Sequence, residues 1–198
     1  MQPKDPSDPG RRKFLIASTS VVGTVGVAGA AIPFLSALKP SAKAQAAGAP
    51  TKVDISKLEK GEMMLVEWRG LPIYIIRHNT ESLKALKQNI SRLLDPDSKE
   101  DQQPEYARNE NRSRREDIVV LEAVCTHLSC APKFYPELGS NEFDGNWQGG
   151  FFCPCHGSKF DLAGRVYSGV PAPTNMSVPP HYYESENILV IGEDGELT

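Results

Sequence analysis

Two six-residue segments hold all four cysteines of this chain and two of its four histidines: CTHLSC at 125–130 and CPCHGS at 153–158. Each segment offers one thiolate and one imidazole within a short stretch, from Cys125 with His127 and from Cys153 with His156. Two loops built in this way can present four ligands to one metal centre. The chain must therefore fold so that two loops far apart in sequence come together, with one further cysteine in each.

Three kinds of site compete for these residues. A Cys₂His₂ zinc site would use one cysteine and one histidine from each segment and would leave the other two cysteines without a role. A pair of disulfides would use the four cysteines and leave the histidines unexplained. A two-iron, two-sulfide cluster with two cysteine and two histidine ligands would use four residues and leave two cysteines free to pair.

The N-terminal region predicts a membrane anchor. Residues 14–38 form an uncharged run of 25 residues, preceded by Arg11-Arg12-Lys13. A helix of that length is roughly 37 Å long and can cross a hydrocarbon core with some tilt. The stretch GRRKFL at 10–15 resembles a bacterial twin-arginine export signal. We therefore expect residues 1–13 in the cytoplasm, 14–38 as a single span of the bacterial inner membrane, and the C-terminal head in the periplasm.

The stretch that follows the anchor admits a second interpretation. The small-residue triplets at 42–44 and 44–46 are typical of signal-peptide cleavage sites. The apolar run is longer than the usual core of a signal peptide, which favours retention as an anchor. Residues 39–50 are small and nearly uncharged, so they predict a flexible tether before a head of residues 51–198.

The head predicts an all-β fold. Short β-branched and aromatic stretches alternate with Gly, Pro and Asp, which is typical of antiparallel strands. Strands are expected at 63–68, 73–76, 118–124, 151–152, 165–167 and 188–191. One helix is expected to begin near Thr80 and to end before Pro96, because apolar residues recur at helical spacing from Leu83 to Leu93.

Charge distribution adds two expectations. Residues 95–117 are so polar that we expect an exposed loop that supplies no core residue. Residues 51–198 carry 16 basic and 23 acidic residues. A head with a net negative charge argues against nucleic acid as a partner, because phosphate binding needs a cationic surface.

The two segments resemble the cluster-binding motifs of the Rieske iron–sulfur proteins, and the additional cysteine in each is similar to the subset found in cytochrome bc-type quinol oxidases. The anchor, the tether and the loop GVPAP at 169–173 also match that subset. The resemblance implies one [2Fe–2S] cluster per chain, held by Cys125, His127, Cys153 and His156. It also implies a disulfide between Cys130 and Cys155, and a hydrogen bond from the Ser158 hydroxyl to a bridging sulfide.

The resemblance also implies a fold and a function. The fold is an antiparallel β sandwich with a small cluster-binding subdomain, preceded by one transmembrane helix. The function is transfer of one electron, with a proton, from ubiquinol to a c-type cytochrome. His156 would accept the hydrogen bond from quinol, with His127 as the second imidazole and Leu128 docking at the quinol pocket. The implied partners are a cytochrome b subunit and a membrane-bound c-type cytochrome, in a dimeric complex.

Two residues depart from the family pattern. Ser129 stands where glycine is usual, so its loop must take a conformation that a β-carbon tolerates. Phe160 stands where many members with a high reduction potential carry tyrosine, so a hydrogen bond to a ligand sulfur is expected to be missing.

Two other functions remain open on the sequence. One is a membrane-anchored zinc module without a redox role. The other is the small Rieske subunit of a periplasmic molybdenum oxidoreductase, which would share both motifs. His78 and His181 lie outside the motifs, and we expect no functional role for either.

Overall fold

The computed structural model describes residues 9–39, 41 and 48–195, which fall into two units, Met1–Ala46 and Ala47–Thr198. In the first unit, helix α1 spans Pro9–Ala37, and none of its described residues is buried. It is long enough to cross a membrane, and an 18-residue window within it has a mean hydropathy of 1.8. The helix begins before the expected span at 14–38. The cleavage triplets and most of the expected tether at 39–50 lie outside the described residues.

The second unit consists of three antiparallel sheets of three strands each, ordered β1-β9-β8, β2-β3-β4 and β5-β6-β7. The strands are β1 Thr51–Asp54, β2 Met63–Trp68, β3 Leu71–Arg77, β4 Ile118–Glu122, β5 Lys133–Asn141, β6 Asp144–Phe152, β7 Lys159–Phe160, β8 His181–Ser185 and β9 Ile188–Ile191. Helix α2 spans Thr80–Gln88, and two 3₁₀ turns span Ile90–Arg92 and Glu105–Ala107. The predicted all-β fold with one N-terminal apolar helix is confirmed.

Most of the expected elements are present with altered bounds. The helix expected from Thr80 to before Pro96 ends at Gln88 and continues as a 3₁₀ turn. The strand expected at 165–167 is wrong, since Val166 and Tyr167 make only isolated bridges, with Phe160 and Leu93. Strands β1, β5, β7 and β8 were not expected, and β5 contains Pro136 and Gly139, two residues that weaken a strand pattern.

The middle sheet, β2-β3-β4, packs on both of its faces. Along β3, Ile73 and Ile75 point into one hydrophobic cluster with residues of β1 and β9, whereas Tyr74 and Ile76 point into another. The second cluster includes Phe151 of β6 and both Cys125 and Cys153. Because side chains alternate between faces along a strand, one face of this sheet packs against the β1-β9-β8 sheet. The other face packs against the cluster that contains Cys125 and Cys153.

The polar segment 95–117 is not an exposed loop without core residues, so this expectation is wrong. Its buried residues are Ser98, Gln103, Ala107, Arg112 and Ser113. Arg112 is 0% exposed, and its two terminal nitrogens donate to the carbonyls of Ala163, Gly164 and Met176 and to the side-chain oxygen of Gln103. Its Nε has no partner among the described residues. A buried charge is tolerated where hydrogen bonds replace water.

Two further arginines tie the same segment to the C-terminal hairpin. Arg114 donates to the carbonyl of His181 at 2.8 Å, lies over the Tyr106 ring and pairs with Asp194. Arg115 donates to the carbonyl of Glu186 at 2.8 Å. The segment therefore links the hairpin of β8 and β9, through Arg114 and Arg115, to the turn after β7, whose carbonyls accept hydrogen bonds from Arg112.

We predict that Arg112→Gln lowers the free energy of unfolding by about 3 kcal/mol or more, because it leaves buried carbonyls without a donor. The matched control is Arg108→Gln, since Arg108 lies in the same segment but pairs with the exposed carboxylates of Asp101 and Glu105. The control should change stability by less than about 1 kcal/mol. Denaturant unfolding of the purified full-length protein measures both; equal losses would contradict the role assigned to Arg112.

The two histidines outside the motifs are both buried, His78 at 2% and His181 at 0% exposure. His78 has no hydrogen-bond partner for either ring nitrogen among the described residues. Burial lowers the pKa of His78 and of His181 to about 4, and the nearby carboxylates of Asp117 and Asp161 only partly oppose this at His78. Both rings are therefore neutral at pH 7.

This burial predicts a loss of stability in mild acid. Below the ordinary value of 6.5 the unfolded chain binds a proton at His78, whereas the folded chain binds it only near pH 4, so stability falls as the pH falls between these values. The variant His78→Leu should reduce the dependence of unfolding free energy on pH by roughly 1 kcal/mol per pH unit between about pH 6 and 5. An unchanged slope in denaturant titrations would show that His78 is not protonated on unfolding.

Candidate metal centre

The two motif loops have the same main-chain hydrogen bonds. The loop at 125–130 leads from β4 to β5, and the loop at 153–158 leads from β6 to β7. In each, the first residue donates to the carbonyl of the sixth, and the fifth donates to the carbonyl of the first. The bonds are Cys125 to Cys130 (2.8 Å), Ser129 to Cys125 (2.9 Å), Cys153 to Ser158 (2.8 Å) and Gly157 to Cys153 (2.9 Å). The loops therefore correspond position by position.

The fifth position of both loops has a left-handed backbone. Gly157 has φ of 78° and Ser129 has φ of 60°. Glycine adopts this region without steric cost, whereas serine pays for its β-carbon. Ser129 therefore takes the left-handed conformation that Gly157 takes in the other loop, and the bond from its N–H to the carbonyl of Cys125 holds it there.

The two cysteines that begin the loops are free thiols inside the protein. Cys125 is 2% exposed and Cys153 is 1% exposed. Burial raises the pKa of the Cys153 thiol; its sulfur accepts from the backbone N–H groups of Cys155 and His156 and contacts the Cys125 thiol. Two sulfurs from separate loops therefore meet at one point beneath the surface.

The two motif histidines lie side by side, further out than the thiols. Their ring centroids are 4.7 Å apart, with the planes at 86°. His156 is exposed and His127 is partly buried. Leu128, next to His127, is 66% exposed. Its side chain therefore lies at the surface and is not buried under the loops.

The remaining two cysteines form a disulfide, Cys130 to Cys155, with Cα atoms 6.7 Å apart. It links the end of the first loop to the middle of the second. The sulfurs of Cys130, Cys153 and Cys155 all lie within 4.8 Å of one another. These three do not form a metal site, because two of the sulfurs are bonded to each other and cannot act as thiolate ligands.

The donor set fits the cluster that the motifs predict. The two thiols contact each other and the two imidazoles contact each other, with one of each from each loop, and a Rieske centre needs two cysteine and two histidine ligands. A zinc ion accepts the same four donors. The choice between the two metals therefore depends on the family to which the chain is similar.

The proline-containing loop at 169–173 is fastened beside the second motif loop. The N–H of Ala172 donates to the buried Ser158 hydroxyl oxygen at 3.0 Å, which leaves the hydroxyl hydrogen of Ser158 free to be donated elsewhere. The first motif loop is held nearby, since the Thr126 hydroxyl donates to the carbonyl of Thr174 at 2.7 Å. The sequence analysis missed Thr126, although it lies between two predicted ligands.

Strand β7 can pack closely against β6 because β6 has a glycine, Gly150, where the two strands meet. A β-carbon at Gly150, which has φ of 138°, would lie 2.0 Å from the carbonyl oxygen of Phe160. Phe160 is fully buried in the same hydrophobic cluster as Cys125 and Cys153. Phe160 therefore shares a buried cluster with the two free thiols, and its ring has no hydroxyl to offer them.

Comparison with known proteins gives two family matches. Residues 106–180 match the model described as "Rieske [2Fe-2S] domain". Residues 1–41 match the model described as "Ubiquitinol-cytochrome C reductase Fe-S subunit TAT signal". Together the two matches include the export motif, the apolar run and all six motif cysteines and histidines.

Individual relatives are named as iron-sulfur subunits of ubiquinol-cytochrome c reductase. The ubiquinol-cytochrome c reductase iron-sulfur subunit of Allochromatium vinosum is 49% identical over 93% of this chain and 89% of its own length. That of Blastochloris viridis is 41% identical over 97% and 98%. A solved structure titled "Hyperthermophilic respiratory Complex III" covers 88% of this chain and 99% of its own, with 26% identity and a TM-score of 0.49. The relatives thus favour an iron–sulfur centre over zinc.

The matched loops predict reciprocal effects of exchanging their fifth residues. Ser129→Gly should keep or raise the free energy of unfolding, by up to about 1 kcal/mol, because it removes the left-handed strain of serine. Gly157→Ser should cost about 1 kcal/mol and still fold, since a β-carbon at Gly157 would meet no atom within 4 Å. Thermal unfolding measures both. A destabilising Ser129→Gly would show that the serine side chain makes a needed contact.

Proposed function

Because this chain belongs to the ubiquinol-cytochrome c reductase iron–sulfur subunits, we propose that it is the electron-transfer subunit of a cytochrome bc complex. In that role it accepts one electron, with a proton, from ubiquinol and passes the electron to a c-type cytochrome. The observation that supports this most directly is that two loops pair two buried thiols with each other and, nearer the surface, two imidazoles with each other, one of them exposed. The net reaction belongs to the whole complex, of which this chain is one subunit.

The proposed ligands are Cys125, His127, Cys153 and His156. When bound, a Rieske [2Fe–2S] cluster supplies a one-electron acceptor whose potential lies between about −150 and +300 mV. The chain surrounds the Cys153 sulfur with N–H donors from Cys155 and His156. Such donors stabilise negative charge on sulfur, and we assign the same effect to the free hydroxyl hydrogen of Ser158.

The surface residues account for quinol binding. The exposed ring of His156 can accept a hydrogen bond from a quinol hydroxyl through the ring nitrogen that does not bind the cluster. His127 packs its ring at 86° against that of His156, which limits how His156 can rotate. Leu128 presents apolar surface beside the two rings, suited to a pocket that excludes water from the quinol.

The topology that we propose follows the charge and hydropathy of the chain. Residues 1–13 lie in the cytoplasm, 14–38 cross the inner membrane once, 39–50 form the tether and 51–198 form the periplasmic head. The proposed partners are a cytochrome b subunit and a membrane-bound c-type cytochrome, within a dimeric complex. Retention of the span is expected to give a mature N-terminus before Phe14; protein sequencing that begins after Ala44 would contradict it.

Three variants of the full-length chain in its native membranes test the function. We expect His127→Ala and His156→Ala each to lose the electron paramagnetic resonance signal of the dithionite-reduced cluster, because no neighbour can supply the missing ligand. Leu128→Ala should keep that signal and lower quinol-dependent cytochrome c reduction, since it alters docking alone. A full signal in either histidine variant would refute the ligand set, and a protein that contains zinc and no iron would refute the function.

The buried ring of Phe160 predicts a lowered reduction potential. A hydroxyl there would donate to a ligand sulfur and stabilise the reduced centre more than the oxidised one. A differential of about 1 kcal/mol corresponds to roughly 40 mV for one electron. Phe160→Tyr should therefore raise the potential by some tens of millivolts in a redox titration. An unchanged potential with a lower melting temperature would instead show that the hydroxyl is buried without a partner.

A further inference from the structure

We propose that Cys153 and the Cys130–Cys155 disulfide form a site of thiol–disulfide exchange whenever the chain lacks its cluster. The three sulfurs lie within 4.8 Å of one another, and Cys153 is a free thiol. Exchange requires a thiolate that can reach one sulfur of a disulfide. Main-chain hydrogen bonds fix each loop, and Cys130 packs against the hydrophobic cluster that contains Cys153.

The exchange needs no other reactant. The Cys153 thiolate attacks the Cys130 sulfur, the new bond forms as the Cys130–Cys155 bond breaks, and Cys155 leaves as a thiolate. Cys155 then takes up a proton from water, which replaces the proton that Cys153 gave up to water. One disulfide and two thiols are present before and after. The leaving thiolate is solvated, because Cys155 is exposed.

Attack on Cys130 is favoured over attack on Cys155. A bond from Cys153 to Cys155 would close a ring that contains only Pro154 between its ends, and proline fixes its own backbone φ. A short, stiff loop of this kind is costly to close. The product that we expect is therefore the Cys130–Cys153 disulfide, with Cys155 as the newly free thiol.

The product would be unable to bind a cluster. Its disulfide still joins the two loops, but it consumes Cys153, one of the four proposed ligands. Conversely, a Cys153 that is bound to metal has no free thiolate with which to attack. This protective effect rests on the ligand set proposed above, whereas the exchange itself depends only on the positions of the three sulfurs.

Two single variants form the matched test. Cys125→Ser and Cys153→Ser each lack one proposed ligand, but only the first keeps the attacking thiol. The full-length variants are purified reduced, oxidised in glutathione buffer, alkylated and mapped by mass spectrometry. We expect Cys125→Ser to yield both Cys130–Cys155 and Cys130–Cys153, and Cys153→Ser to yield Cys130–Cys155 alone. Cys153→Ser also controls for folding, because an unfolded chain would readily pair Cys125 with the nearby Cys130.

The wild-type protein provides the second measurement. After the cluster is removed with a chelator in the absence of added thiol, alkylation should move from Cys153 to Cys155, while the chain keeps two free thiols. If Cys155 stays unlabelled here and in Cys125→Ser, or if Cys153→Ser scrambles equally, the exchange is refuted. If either variant instead retains the paramagnetic signal, the ligand set fails while the exchange can still be scored from the disulfide map.

Discussion

The burial of β3 and β4 on both faces is the constraint on which the rest of the structure depends. Alternate side chains of these strands enter two different hydrophobic clusters. One cluster includes residues of β1 and β9, and the other includes Cys125 and Cys153 of the candidate metal centre. The first motif loop begins three residues after β4 ends, so the position of this strand fixes where Cys125 lies. The second cluster also buries Phe151 and Phe160, which flank the second motif loop. Hydrophobic packing thus fixes where both loops lie.

Buried polar contacts then fix the turn after the second loop. The Asp161 carboxylate accepts from the backbone N–H groups of Ala163 and Arg165 and pairs with the Arg165 side chain at 2.8 Å. Arg112 holds the carbonyls of the same turn from the other side. A buried ion pair adds little net stability, but the loss of one partner leaves an unpaired charge in the interior. These contacts therefore specify one geometry for the turn more than they stabilise the fold as a whole.

The sequence carried the motif spacing, the apolar helix and the β-branched strands, because each of these depends on residues that are local or regularly spaced. It did not reveal the burial of Arg112, since the partners of Arg112 are main-chain carbonyls that no side-chain pattern marks. It missed β5, whose proline and glycine argue against a strand, although β5 pairs with β6 across two register shifts. The left-handed conformation of Ser129 was likewise set by the loop rather than by residue preference.

The two loops have the same main-chain hydrogen bonds and differ in the position of their histidine. Within the site, the thiols are buried and the histidines lie closer to the surface. His127 is the third residue of its loop and is partly buried, whereas His156 is the fourth and is exposed. The thiols lie at the first position of each loop and are buried. A molecule approaching from solvent therefore meets an imidazole before it meets sulfur. The shift of one histidine by a single position thus places an exposed imidazole on one of two matched loops, while the thiols stay out of contact with water.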